Sequence, residues 1–259
     1  MWTAFGHLRQ VTTERMALES TQGIRLAKRV AAILKCSRSA AEQVIVGGWV
    51  QVNGKVVDEP ARRVSEEKID IHPQAQQGSV PLLTLLLHKT DGMTCWPEGQ
   101  TRGQSSIWEV LDPAQRCEAD RSQLQVSPRQ CKQLLSVTPL EDAATGLVVL
   151  SEDPRILRHL EDRQSPLENE MAAQVQGLVS PELLARLNPP GLRTSINHQT
   201  QEVTVLRLAL KGYVPGELGR LFAHNGLALL SLKRLRLGRM NLAPLQPGQW
   251  RALLPYERF

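Results

Sequence analysis

Apolar residues recur three and four positions apart through Ile24, Leu26, Val30, Ala31 and Leu34, a spacing that predicts an amphipathic helix. Ser37 stands where a second helix needs an oxygen to accept its first free N–H groups. Ala40, Ala41, Val44 and Ile45 form the apolar side of that helix, and Gly47-Gly48 ends it. The period then drops to two. Trp49-Val50-Gln51-Val52 and Lys55-Val56-Val57 flank Asn53-Gly54, a pair that tolerates positive φ and so makes a tight hairpin turn. Ile69 and Ile71 predict one more short strand. Residues 23–72 therefore read as a small helix–hairpin domain.

Residues 1–22 read as a leader without the charged-then-apolar order of a signal peptide. Residues 73–80 are small and polar and are expected to be a linker. The remainder, 81–259, interleaves elements of both kinds. Strands are expected over 82–87, 147–150, 202–210 and 227–237, and helices over 107–111, 155–160 and 215–224. The fold class expected is α+β, with a mixed, mainly antiparallel sheet in the larger domain.

Composition narrows the function. The 259 residues carry a formal charge of +5, which permits nucleic acid as a partner without requiring it. Aromatic residues are only 4% of the chain, which argues against a broad base-stacking surface. Cys36, Cys95, Cys117 and Cys131 lack the spacing of a zinc site, and no metal is expected. No apolar run reaches the roughly 18 residues of a membrane span, so a cytoplasmic protein with no membrane partner is expected. No histidine stands in a sequence context that suggests a hydrolytic triad.

Three stretches carry a resemblance in the first domain: Gly23-Ile-Arg-Leu-Ala-Lys-Arg-Val, Cys36-Ser-Arg-Ser-Ala-Ala-Glu and Val50-Gln-Val-Asn-Gly-Lys-Val-Val. They resemble the RNA-binding domain named after small-subunit ribosomal protein S-four, with Ala27 in place of the usual aspartate. The residues themselves agree. Arg25, Lys28 and Arg29 are three and four apart and can share a helix face, Arg38 follows the Ser37 cap, and Lys55 lies on the hairpin beside Asn53. Cations backed by a helix N-terminus hold phosphates and give salt-dependent affinity with little sequence choice. The plainer alternative is a solvated helix surface.

The larger domain resembles the bacterial rRNA pseudouridine synthases of the small-subunit type. The resemblance is carried by His88-Lys89-Thr90-Asp91-Gly92, by residues 107–111, by residues 137–153, and by Leu232-Lys-Arg-Leu-Arg-Leu-Gly. It implies a cofactor-free reaction on a uridine flipped out of folded RNA, with an aspartate acting at the glycosidic bond. It also implies RNA contacts from Lys89, Arg220, Lys233, Arg234 and Arg236.

The match fails where the chemistry lies. Counting back from Gly146, the position of the catalytic aspartate holds Glu141, its arginine neighbour is Pro139, and Asp142 follows one residue later. The family's stacking tyrosine falls on Met171, its lysine on Asn169, and its arginine-rich stretch keeps only Arg220. A degenerate synthase that still binds structured RNA, rRNA above all, is therefore expected, acting as a monomer. An active synthase using Glu141 or Asp142, and a protein-interaction scaffold, are the alternatives.

Overall fold

The computed structural model describes residues 23–72, 75, 82–96, 104–122, 124, 126 and 128–259. They form two compact units. One ends at residue 81 and includes 125–130; the other comprises 82–124 and 131–259. The expected leader and, apart from Ala75, the expected linker lie outside the described residues.

In the first unit, β1 (Ile24–Arg25) runs into α1 (Leu26–Leu34), which packs on α2 (Arg38–Val46). Leu26, Ala27 and Val30 of α1 face Ala41, Val44 and Ile45 of α2, and all six are buried. Each large aliphatic group so buried contributes about 1.5–3 kcal/mol. Ala27 is fully buried, so the carboxylate usual at that position would be desolvated here. The cap expected at Ser37 forms: its Oγ accepts the Ala40 N–H at 3.1 Å. Asn53 and Gly54 both have positive φ, +51° and +76°, and close the hairpin of β2 (Val50–Val52) and β3 (Lys55–Val56). β5 (Ile69–Ile71) pairs on the other side of β2.

One pairing in this unit left no trace in the hydrophobic pattern. β4 (Arg63–Val64) lies antiparallel to β1, with Arg25 directly opposite Arg63. Two-residue strands show no alternation to read. Gly23 permits the approach: a Cβ there would stand 2.7 Å from Ser65 Oγ and 2.9 Å from the Val64 carbonyl oxygen, and its φ is +67°.

The second unit is built on one large sheet. Its strands are β6 (Thr84–Lys89), β7 (Leu135–Ser136), β8 (Thr145–Ser151), β9 (Glu168–Gln176), β10 (Leu192–Gln199), β11 (Val203–Lys211), β12 (Leu229–Leu237), β13 (Met240–Asn241) and β14 (Trp250–Ala252). The main order is β10-β11-β9-β12-β8-β6-β14, with β13 on β12 and β7 on β8. Among the described strands, β12 and β8 run parallel and the other strand pairs are antiparallel. β6 is buried along its whole length and β8 at all but Thr145, as their uninterrupted apolar runs require. β9 and β11 alternate buried and less buried positions. Helices α3 (Pro154–Glu161), α4 (Pro181–Arg186) and α5 (Glu217–His224) and a 3-10 turn at Pro113–Gln115 belong to the same unit. The α+β class and the mixed, mainly antiparallel sheet agree with expectation.

The helix expected over 107–111 is absent, and turns take its place. Local bonds span only three residues, from Glu109 N–H to Ser106 O and from Leu111 N–H to Trp108 O. The Ile107 N–H is given to Thr94, so backbone that a helix would use is spent on a neighbouring segment. β10 also escaped the pattern. It is an edge strand in which Ser195 through Gln199 are all exposed, so no apolar alternation marks it.

Candidate functional site

In the second unit the candidate acids lie on a turn. The Ala144 N–H donates to the Glu141 carbonyl, and β8 begins at the next residue. In an extended segment neighbouring side chains would take opposite faces. The turn changes that geometry, but the two carboxyl groups still part company. The Tyr213 hydroxyl donates to Glu141 Oε2, and the Gly216 N–H donates to Oε1 at 2.6 Å. Gly216, at φ +83°, is the residue before α5 and has no side chain with which to cap it. Glu141 thus supplies an acceptor from 75 residues away at a helix end that attracts negative charge. Burial, the bond to Glu141 and the Glu141 charge raise the Tyr213 pKa well above the usual phenol value, so Tyr213 stays a neutral donor.

Arg234 holds the same segment from below. Its guanidinium is buried and donates to the carbonyls of Thr138 at 2.7 Å and Leu147 at 3.1 Å, with its Cζ 5.2 Å from the centre of the Tyr213 ring. Burial pushes its pKa down to about 10, still charged at neutral pH. The strand carrying it can lie beside β8 because Gly146 has no side chain. A Cβ at Gly146 would stand 2.2 Å from the Arg234 carbonyl oxygen.

Lys89 closes the other side. Its ammonium donates to the carbonyls of Ala144 at 2.6 Å, Asp142 at 2.8 Å and Thr90 at 3.1 Å. Burial lowers its pKa. Asp142 Oδ2 accepts from Gln104 Nε2 at 2.8 Å, while its Oδ1 is buried without a hydrogen-bond partner. The Cys95 thiol lies by the backbone of Leu140, and burial raises its pKa.

These positions correct several expectations. Lys89 and Arg234, expected on an RNA surface, are buried and bonded to carbonyl oxygens, so neither presents its charge to a phosphate. Arg236 is bound to Glu168 at 2.7 Å and Glu170 at 3.1 Å. Lys233 is half-buried, and Arg220 is exposed with its guanidinium near Gly216. Met171 is wholly buried in β9 opposite Arg234 on β12, where no base could reach it. Asn169 is buried too, with Oδ1 unpartnered. The residues that sequence reasoning missed are Tyr213, Gly216 and Gln104. Tyr213, one of two tyrosines in the chain, just before Pro215-Gly216 and a helix, was the one available signal.

The first unit presents a groove of about 340 Å³ lined by Gly23, Ile24, Arg25, Lys28, Arg38 and Arg63. All four ionisable groups in it are cationic. Arg63 also donates to the Gly23 carbonyl at 2.8 Å, and Arg38 makes a loose, exposed pair with Glu42 at 3.4 Å. Like charges directly opposite across a strand pair are destabilising, so Arg25 beside Arg63 favours an anion between them. Arg29 is exposed but does not line the groove. Ser37 and Asn53 serve the backbone, Ser37 as a cap and Asn53 by accepting the Lys68 N–H at 2.9 Å, while Lys55 is exposed on the hairpin.

Comparison with known proteins bears on both units. The family described as the S4 domain matches residues 24–69. An uncharacterized RNA pseudouridine synthase of Mycobacterium tuberculosis (strain ATCC 25618 / H37Rv) is 28% identical over 252 residues, 91% of this chain and 92% of the relative. Ribosomal large subunit pseudouridine synthase B of Bacillus subtilis (strain 168) is 23% identical over 245 residues, covering 90% and 93%. A crystal structure of pseudouridylate synthase superposes with a TM-score of 0.52 at 20% identity, covering 90% of this chain and 96% of that one. The chain is an S4 domain followed by a domain of pseudouridine synthase fold.

Proposed function

We propose that this protein binds structured RNA, rRNA first of all, and that its isomerase chemistry is impaired or absent. The observation that carries this reading is the occupancy of Glu141: both carboxyl oxygens are engaged by groups of the protein itself, the Tyr213 hydroxyl and the Gly216 N–H. An acid that ties down a helix end must break those bonds before it can act on a nucleotide. The groove of Arg25, Lys28, Arg38 and Arg63 supports the binding half of the proposal, because four cations without a lining acid suit a phosphate backbone. In this reading the chain acts in the cytoplasm as a monomer. Among the described residues no helix is long and apolar enough to cross a membrane.

The resemblance in sequence is to the small-subunit type. The Bacillus subtilis relative is named for the large subunit, so RNA of both subunits belongs in the test. The protein is incubated with fragments of each rRNA, which are then mapped for pseudouridine. Binding without new pseudouridine is the expected result. Pseudouridine that appears with the wild-type chain and vanishes with Glu141→Gln overturns the impaired reading and establishes an active synthase. One observation favours that second reading: Glu141 is only half-buried, at the start of a turn whose flanking carbonyls, of Thr138 and Asp142, are bound by Arg234 and Lys89.

A further inference from the structure

Trp96 is an exposed indole in a chain with few aromatic residues, 38% accessible. Its surroundings are not those of a loose surface residue. The Trp96 N–H donates to Thr94 Oγ1 at 3.1 Å. The Thr94 N–H donates to the Ser105 carbonyl at 3.0 Å, and Thr94 bridges Ser106. Cys95, its immediate neighbour, is buried against the backbone of Leu140, the residue before Glu141. Gln104, beside the same bridge, reaches Asp142. Trp96 therefore follows a backbone segment pinned through Thr94 to residues 105–107, and its neighbour Cys95 lies against Leu140. A second exposed apolar side chain, Val214 at 54%, directly follows Tyr213, which bonds Glu141. Two apolar side chains thus stay in water next to residues that touch one acidic turn, where burial would otherwise be favoured.

We propose that Trp96 is a stacking contact for an unpaired nucleobase of the bound RNA. This rests on the RNA-binding reading and adds a second contact in the other unit, of a different kind: the cationic groove takes phosphates, and the indole takes a base face. A π-face stacks on any base, so the contact adds affinity for unstacked nucleotides without choosing among them. A pinned backbone suits it, since little main-chain freedom remains to be lost on binding.

The test uses the full-length chain and two probes of equal length, an oligouridylate and an abasic ribose-phosphate oligomer. The expected result is that wild type prefers oligouridylate, that Trp96→Ala weakens oligouridylate binding about tenfold while leaving the abasic probe unchanged, and that Trp96→Phe retains most of the preference. Circular dichroism and thermal melting show that each variant folds. Equal affinity of wild type and Trp96→Ala for oligouridylate overturns the stacking contact alone. A wild-type chain that binds neither these probes nor rRNA fragments overturns the RNA-binding reading and this inference together.

Discussion

Tyr213 and Glu141, 72 residues apart in the chain, share a hydrogen bond in which a neutral phenol donates to a carboxyl group. The same carboxyl group accepts the Gly216 N–H, so one side chain fixes the loop that enters α5. This gives Glu141 a structural role at the entry to α5. It is measurable without any RNA. Glu141→Ala leaves the Gly216 N–H and the Tyr213 hydroxyl without their acceptor and is expected to lower stability by about 1–3 kcal/mol; Tyr213→Phe is expected to cost about 1 kcal/mol. In urea denaturation the double variant should lose less than the two single losses added together. Additive losses would show that the bond is not formed in solution.

The raised Tyr213 pKa makes stability fall on the alkaline side. Above the ordinary phenol pKa of 10.0, the unfolded chain releases this proton while the folded chain keeps it. The unfolded state then binds fewer protons, and stability declines with rising pH. Thermal melts between pH 9 and 11, ~1 unit on either side of that value, should show a steeper decline for wild type than for Tyr213→Phe.

Arg234 is expected to be the most sensitive of the basic residues assigned to RNA by sequence, for a reason unrelated to RNA. Arg234→Met strips the Thr138 and Leu147 carbonyls of a charged donor, at a cost of about 3 kcal/mol. Arg234→Lys should recover only part of this, because one ammonium cannot reproduce the planar fork. Chemical denaturation of the two variants tests the order. Loss of RNA affinity with unchanged stability would contradict it.

The groove predicts a salt signature. Arg25→Ala, Arg38→Ala and Arg63→Ala should each weaken RNA binding and flatten the plot of log affinity against log salt by about 0.7–0.9 for each phosphate no longer neutralised. Arg29→Ala, outside the groove, should flatten it less. A slope that none of the groove substitutions changes would place the phosphate-binding surface elsewhere.

How far the sequence reached depended on the kind of signal. Period 3.6 in α1 and α2, period 2 around Asn53-Gly54, and the apolar runs of β6 and β8 are local patterns, and each produced the element it promised. The failures are long-range. Arg63 joins the groove only because a two-residue strand pairs with β1 some forty residues back, and nothing periodic announces so short a strand. Glu141 was singled out by the resemblance, but its partners lie 72 and 75 residues away in a loop. Arg234 and Lys89 were legible as cations, while their burial under the 138–144 segment follows from the parallel pairing of β12 with β8 and the antiparallel pairing of β6 with β8. Charge is written in the sequence; whether a charge meets water or a carbonyl is decided by topology.

The bond between Glu141 and the start of α5 makes side-chain length matter at this position. Glu141→Asp would shorten the side chain by one carbon–carbon bond, about 1.5 Å, and draw the carboxyl group away from Gly216. That chain would give up the fastening at Gly216, and the loop around Tyr213 would have to move to recover it. The length of the glutamate side chain is therefore part of what holds the start of α5, and shortening it by a single methylene costs stability.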